Sequence, residues 1–462
     1  MPDRNRFQKL RTRHPYFRFK RFRIEDRAQH LDAAFEFELS PNIRFTPEIS
    51  IVKPPEAFVP VPEHELENLV FHLGMIELIS YWKCACPGEI IIECGRLDET
   101  QQAWWKDLFI NGLGEFFFVN QIDFRDPHLL EFRVPEGPSS HVGGASGAEL
   151  EGSLIPIGGG KDTVVTLEIL KEMLPRSWAF MLNPTPAMIE TAEIAGFPRE
   201  RFLTIRRAIH PTLLRLNDEG YLNGHTPFSA YLGFLGVLCA RLVGCRNIIV
   251  SNEKSSDVGN TRYLGKTVNH QYSKSLEFER KFSAYVRTYL HPEIRYFSLL
   301  RDLDELRIAE VFSHFPKYFD AFKSCNVGRS TDRWCGSCSK CLFVYTMLSP
   351  FLSEETLSRI FGGDLFSMRD LLPTLKQLVG EEGLKPFDCV GTENETRQAL
   401  GLALKKRSAS GKPLPALLEY AKTLAPLQGE EEAWDVYEAA LRGGTGNTLP
   451  QEFADMMRTW MP

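Results

Sequence analysis

The sequence predicts an α/β protein with a parallel, doubly wound core, and three observations carry that expectation. Short apolar runs alternate with helical stretches from Ser153 onward, a glycine-rich turn joins the first run to the first helix, and the composition is that of an ordinary globular chain. At 462 residues there is room for two or three domains with a well-buried core. Hydrophobic content is 43%, charged content 25% and net charge −6, without the basic excess of a nucleic-acid-binding chain. The longest apolar stretch, 228–244, falls short of the roughly 18 residues a membrane span needs and contains Arg241, so it reads as a buried helix. No apolar signal segment opens the chain, and ten cysteines without one point to a reducing, cytoplasmic setting where thiols bind metal or fill the core.

Residues 1–150 read as an N-terminal α+β domain. Phe17, Phe19, Phe22 and Ile24 interleave with Arg and Lys, and Phe35-Glu-Phe-Glu-Leu39 alternates with period two, both strand patterns. The basic residues from Arg4 to Arg23 can be a polyanion grip, but interleaved aromatics fit better a sheet with one wet and one dry face. Leu66, Leu69, Leu73, Ile76 and Leu78 predict a helix over 65–81, and Glu115-Phe-Phe-Phe-Val119 a further strand. Pro135 to Ser140 and the glycines of 143–147 mark a flexible join.

The core, 151–347, has strand candidates at 153–157, 178–182, 202–205, 247–251 and 294–298 with helical stretches between them. Parallel sheets of this kind collect ligands at the carboxyl ends of their strands. Residues 348–462 form a helical region, with Thr392-Glu-Asn-Glu395 as a capping box, a linker-like break at 408–413 and a glycine turn at 443–447.

Chemistry is concentrated at the carboxyl ends of those strands. In Ile157-Gly-Gly-Gly-Lys-Asp-Thr163 the absence of Cβ atoms at Gly158, Gly159 and Gly160 lets backbone N–H groups close on phosphate at the positive end of a helix. Lys161 adds charge, and Asp162 and Thr163 suit a metal-bound phosphate and a helix cap. The spacing fits neither a Walker loop nor a Rossmann fingerprint, and a plain strand-to-helix turn is the alternative. Asn183-Pro-Thr-Pro186 follows the second strand. In Asn223-Gly-His225-Thr226 the histidine opens the long apolar helix and either shuttles protons or caps it. Ser251-Asn-Glu253-Lys254-Ser-Ser256 offers a carboxylate for Mg²⁺ or an amine and a cation for phosphate or carboxylate, unless it is a solvated loop. His270, Tyr272 and Lys274 are acid/base candidates, or members of an ordinary polar loop.

Cys325, Cys335, Cys338 and Cys341 have the spacing of a structural Zn²⁺ site; an iron–sulfur cluster is the second choice and unligated core thiols the third. Cys84, Cys86, Cys94, Cys239, Cys245 and Cys389 read as core or incidental thiols.

The glycine loop resembles the Ser-Gly-Gly-x-Asp-Ser/Thr signature of PP-loop ATP pyrophosphatases, with Gly158 where serine is usual. That resemblance implies an adenine nucleotide alpha-hydrolase-like fold, with Asp162 on the ATP-bound Mg²⁺. The four cysteines resemble the zinc site of 7-cyano-7-deazaguanine synthases. Taken with Asn183-Pro-Thr-Pro186, Asn223-Gly-His-Thr226, Ser251-Asn-Glu-Lys-Ser255, Asn269-His-Gln-Tyr-Ser-Lys274, Trp334-Cys-Gly336 and Lys340-Cys341, the loop resembles the bacterial ATP-dependent UDP-N-acetylmuramoyl-L-alanyl-L-glutamate epimerases. What this implies is conversion of the terminal L-Glu to D-Glu for peptidoglycan through an acyl-adenylate, with ATP cleaved to AMP and pyrophosphate. Glu253 and Lys254 would orient the carboxylate, and His225 or His270 with Lys274 would exchange the proton. The nucleotide sugar would lie on the first domain or the helical tail, with Arg4–Arg23 as candidate contacts, and neither nucleic acid nor membrane is implied. A PP-loop adenylating ligase of the 7-cyano-7-deazaguanine synthase or tRNA-thiolation kind is the alternative, and a nucleotide sensor without turnover is a third reading. Oligomeric state stays open.

Overall fold

The computed structural model describes residues 4–55, 57–136, 150–424 and 449–460. Its N-terminal part begins with helix α1 (Arg4–Arg13), then strands β1 (Tyr16–Asp26), β2 (His30–Leu39), β3 (Ile43–Phe45) and β4 (Glu48–Val52), the long helix α2 (Glu63–Trp82) and β5 (Glu89–Ile92). Helices α3 (Glu99–Gly112) and α4 (Gly114–Val119) and strand β6 (Glu131–Arg133) follow. Two expectations change here. Residues 4–13 are helical, so only the second half of the basic segment is strand. The run Glu115–Val119 is helix α4: Phe116 and Phe117 are both buried, and side chains adjacent in sequence cannot share one face of a strand. The glycine join at 143–147 and the turn at 443–447 lie outside the described residues.

In β1 the phenylalanine spacing lengthens from two to three residues between Phe19 and Phe22 because the pairing register shifts there. Phe19 faces Phe37 and Phe22 faces Phe35, a β-bulge that returns both rings to the core side. The wet face carries the charges: Arg21 pairs with Glu36 at 2.7 Å, and Arg18 and Lys20 each approach Glu38. The sheet reading of the basic segment therefore holds from residue 16 onward.

From residue 150 the chain alternates. Strand β7 (Ser153–Pro156) leads to α5 (Lys161–Ile169), β8 (Trp178–Leu182) to α6 (Pro186–Ala195), and β9 (Phe202–Arg207) to α7 (Pro211–Asp218) and the buried α8 (Phe228–Leu242). Then come β10 (Asn247–Val250), the hairpin β11 (Thr261–Tyr263) and β12 (Lys266–Val268), α9 (Leu276–Tyr285), β13 (Arg295–Ser298), α10 (Glu305–Ser313) and α11 (Ser339–Leu348). All five strands expected in this part are present and run parallel in the order β13-β10-β7-β8-β9. The sheet does not end at β9, because β4 pairs with it antiparallel, Ile51 opposite Ile205. One mixed sheet thus continues through β4-β2-β1-β5-β6.

Helix α8 keeps Arg241 fully buried by pairing it with Glu65 of α2 at 2.6 Å, which reconciles the charge with its apolar setting. Among the described residues no helix is long and apolar enough to cross a membrane. The C-terminal region is helical where described: α12 (Glu354–Phe361), α13 (Leu372–Leu378), α14 (Glu393–Ala409), α15 (Ala416–Ala421) and α16 (Gln451–Trp460). The capping box forms at α14, and Glu395 exceeds its capping role. One carboxylate oxygen accepts from the Thr392 hydroxyl at 2.7 Å; the other accepts from the Glu305 backbone N–H at 2.8 Å, tying this helix to α10.

Candidate active site

In the order β13-β10-β7-β8 the chain leaves β7 toward β8 and leaves β10 toward β13, in opposite directions, so a crevice opens between their carboxyl ends. A cavity of about 350 Å³ occupies that place, lined by the ends of β7, β8 and β10, by residues 323–333 and by Lys274, Lys340 and Cys389. Its floor is the glycine loop. Gly159 has φ +76, a left-handed conformation that favours glycine, and a Cβ on Gly160 would stand 3.2 Å from the Cβ of Ser324. Gly158 donates its N–H to the Thr163 hydroxyl at 3.2 Å, so the threonine closes the turn. Gly160 sits at the N-cap of α5, leaving the first turn of that helix directed at the cavity.

Lys161 and Asp162 diverge. Lys161 is buried, its ammonium bridging Asp162 and Glu305. Asp162 faces the cavity. Burial alone would raise its pKa, but Lys161, Lys340 and Lys274 outweigh that and hold it below the ordinary value. Glu305 moves the other way, to about 7, because burial and the charges of Asp162 and Glu253 outweigh the pull of Lys161. An anionic carboxylate beside a glycine cradle at a helix start is a donor set suited to Mg²⁺ on a polyphosphate.

The other expected residues separate into groups. Asn183 accepts and donates across to the backbone of Arg207, while Thr185 caps α6 and lines the cavity. In the loop after β10, Ser251 and Asn252 reach the cavity, Glu253 is buried just behind it and Lys254 is exposed away from it. The hydroxyls of that loop are satisfied internally, Ser255 by Glu395 and Ser256 by the Glu253 carbonyl. Lys274 lines the cavity as a cation: burial would lower its pKa, but Cys389, Glu253 and Asp162 more than reverse this. Tyr272 turns elsewhere, donating to Asp107 at 3.0 Å.

His225 and His270 stand with ring centroids 4.3 Å apart over Glu115. They titrate in opposite senses. Burial, the neighbouring His270 and Lys83 push His225 down to about 3, so it is neutral. Burial opposes protonation of His270 too, but hydrogen bonds to Cys389 and Glu115 carry it up to about 9.

Three residues here escaped the sequence reading. Glu115 was expected in a strand. Cys389, read as an incidental thiol, instead lines the cavity and is brought down to about 6 by Lys274, His270 and Lys340 against the effect of burial. Its one sequence signal is its position three residues before the Thr392 N-cap, which puts it at a helix start. Arg301 is buried and donates to Glu279 at 2.7 Å, the Lys274 carbonyl at 2.7 Å and the Glu253 carbonyl at 3.1 Å, fixing both loops that carry cavity residues.

Cys325, Cys335, Cys338 and Cys341 converge, with Sγ–Sγ separations of 3.8, 3.7 and 3.5 Å for 325–338, 335–341 and 338–341. A tetrahedron of ~2.3 Å metal–sulfur bonds has edges of ~3.8 Å, so the four thiols could hold one metal ion. Gly328 lets the segment fold: a Cβ there would meet the Arg333 carbonyl at 1.9 Å. The knot also braces the cavity, because the Lys323 N–H donates to the Gly159 carbonyl at 2.8 Å and Lys340 reaches the Cys389 carbonyl.

Comparison with known proteins places this architecture. Residues 8–299 match the family model described as the MurL N-terminal domain, and 321–432 match that of the MurL C-terminal domain. The chain belongs to the MurL family. A MurL relative from Salinispora tropica, named UDP-N-acetyl-alpha-D-muramoyl-L-alanyl-L-glutamate epimerase, is 33% identical over 92% of this chain and 92% of its own. Relatives of the same name from a Micromonospora species and from Xanthomonas oryzae pv. oryzae are 34% identical (80% of this chain, 83% of theirs) and 31% identical (84% and 85%). No solved structure matches. The MurL matches span both the glycine loop and the cysteine knot.

Proposed function

We propose that this MurL-family protein epimerises the terminal L-glutamate of UDP-N-acetylmuramoyl-L-alanyl-L-glutamate, using ATP to activate the glutamate α-carboxylate. The observation that carries the reading is the cavity at the end of β7, where a glycine cradle, an anionic Asp162 and a cationic Lys274 line one space. A Cα–H beside an ionised carboxylate resists removal, because the carbanion would form next to existing negative charge. Adenylation removes that charge and lets the acyl oxygen carry the enolate.

In this reading Gly158, Gly159, Gly160 and Thr163 hold the triphosphate of ATP, with Lys161 fixing Asp162 from behind. Mg²⁺ held by Asp162 would neutralise phosphate charge during attack on the α-phosphorus. Lys274 keeps the substrate carboxylate in place, Glu253 supports it from the second layer, and His270 belongs to the proton-transfer group. Neutral His225 packs against that group. The four thiolates of the cysteine knot would hold a structural Zn²⁺ that braces this side of the cavity. This reading makes the chain a PP-loop enzyme, with the nucleotide at the switch point of the sheet.

The test is incubation with UDP-N-acetylmuramoyl-L-Ala-L-Glu, ATP and Mg²⁺ in D₂O. Deuterium at the glutamate Cα together with AMP and pyrophosphate is expected. Full-speed inversion without ATP, or an amide or thiolated product, would overturn the reading, the latter in favour of an adenylating ligase.

A further inference from the structure

The cavity contains a nucleophile that the reading above leaves without work. Cys389 lies between α13 and α14, and its place is fixed from two sides. Lys340 of the cysteine-knot segment donates to its carbonyl, and the His270 imidazole stands close enough to interact with its thiol. The same imidazole hydrogen-bonds Glu115 through Nδ1, so carboxylate, imidazole and thiol are grouped together at the cavity wall. Lys274 completes the surroundings, its ammonium stabilised by the charges of Cys389, Glu253 and Asp162. Cys84, Cys86, Cys239 and Cys245, by contrast, are buried thiols whose pKa burial raises, and none lines this cavity.

We propose that Cys389 is the base that takes the glutamyl Cα proton, with His270 and Glu115 as positioning residues that hold it as a thiolate. This rests on the epimerase reading. The groups facing the thiol are His270, Lys274 and Lys340, all cationic or able to become so, and they favour the anion over the thiol. In the step itself the Cα–H bond breaks and an S–H bond forms. The C–H electron pair moves into the acyl group, whose carbonyl oxygen becomes the enolate oxygen. A proton from water then enters the other face of Cα, while the new thiol returns its proton to solvent. No oxidant or reductant is consumed. A sulfur base suits this work because a thiolate near neutral pH is a competent acceptor, and its conjugate acid remains acidic enough to serve the reverse direction.

The test uses the full-length protein with its metal and two signals, pyrophosphate–ATP exchange for carboxylate activation and deuterium entry at Cα for proton transfer. In Cys389→Ser and Cys389→Ala, deuterium entry should fall by about 10²-fold or more while exchange persists. Deuterium entry at the wild-type rate in both variants would overturn the proposal. A wild-type protein that exchanges pyrophosphate but never labels Cα would sink the epimerase reading and the proposal with it. A second measurement needs no Cys389 variant: peptide-resolved alkylation of Cys389 by iodoacetamide as a function of pH. Half-maximal reactivity near pH 6 is expected, moving up in His270→Asn; a half-point near 9 in the wild type would refute the imidazole-held thiolate.

Discussion

The two ends of the sheet are built on different principles. In β1, β2 and β4 the strands are antiparallel, one face is packed with phenylalanines and the other carries ion pairs in contact with water. In β7 to β10 and β13 the strands are parallel and their connections put successive loops at one end. There charge is buried rather than solvated: Lys161 with Glu305, Arg301 with Glu279, and Asp162 among lysines. The antiparallel end gains stability from apolar area. The parallel end holds costly buried charges in fixed positions, which is useful where chemistry needs them and destabilising elsewhere.

This contrast can be broken at several points, and the largest effect belongs to the parallel end. Asp162→Asn should lower turnover by roughly 10³-fold, as loss of a key electrostatic group does, with little change in melting temperature; this is read by AMP release beside a thermal melt. Arg301→Ala should cost about 3–5 kcal/mol, since it takes a buried cation away from the buried Glu279 carboxylate, and a denaturant titration reports it.

Activity should also rise to a plateau with pH. Below about 6 Cys389 takes a proton and the base is lost; above that the thiolate persists and the rate levels off. Rates should therefore fall about tenfold per unit below pH 6, as a rate profile with saturating ATP would show. At the antiparallel end, Arg21→Ala should shift stability by only about 0–1 kcal/mol despite its 2.7 Å contact with Glu36, because water screens the pair. A loss as large as that of Arg301 would erase the distinction between the two ends.

The features legible in the sequence were those written in neighbouring residues. The glycine loop, the five parallel strands, the capping box at Thr392 and the convergence of four cysteines all depend on local spacing, and each is found. The Glu115–Val119 run misled because three consecutive aromatics satisfy a strand or a helix equally well until burial decides. Glu115, His270 and Cys389 could not be read together at all. They come from three separate segments, Glu115 and His270 lying 155 positions apart, and nothing local in any of them announces the other two. Arg301 was hidden for the same reason, its partners being the Glu279 carboxylate of α9 and backbone carbonyls of two loops.

The seam between β4 and β9 has a practical consequence. Only Ile49–Ile51 and Ile205–Arg207 meet there, yet the seam joins the two kinds of sheet into a continuous ribbon. Cutting the gene to produce either portion by itself would lay bare a raw strand margin on each product, open to pairing with any other extended chain. Fragments made separately should therefore clump, and only synthesis of both pieces in the same cell would give each margin its proper mate.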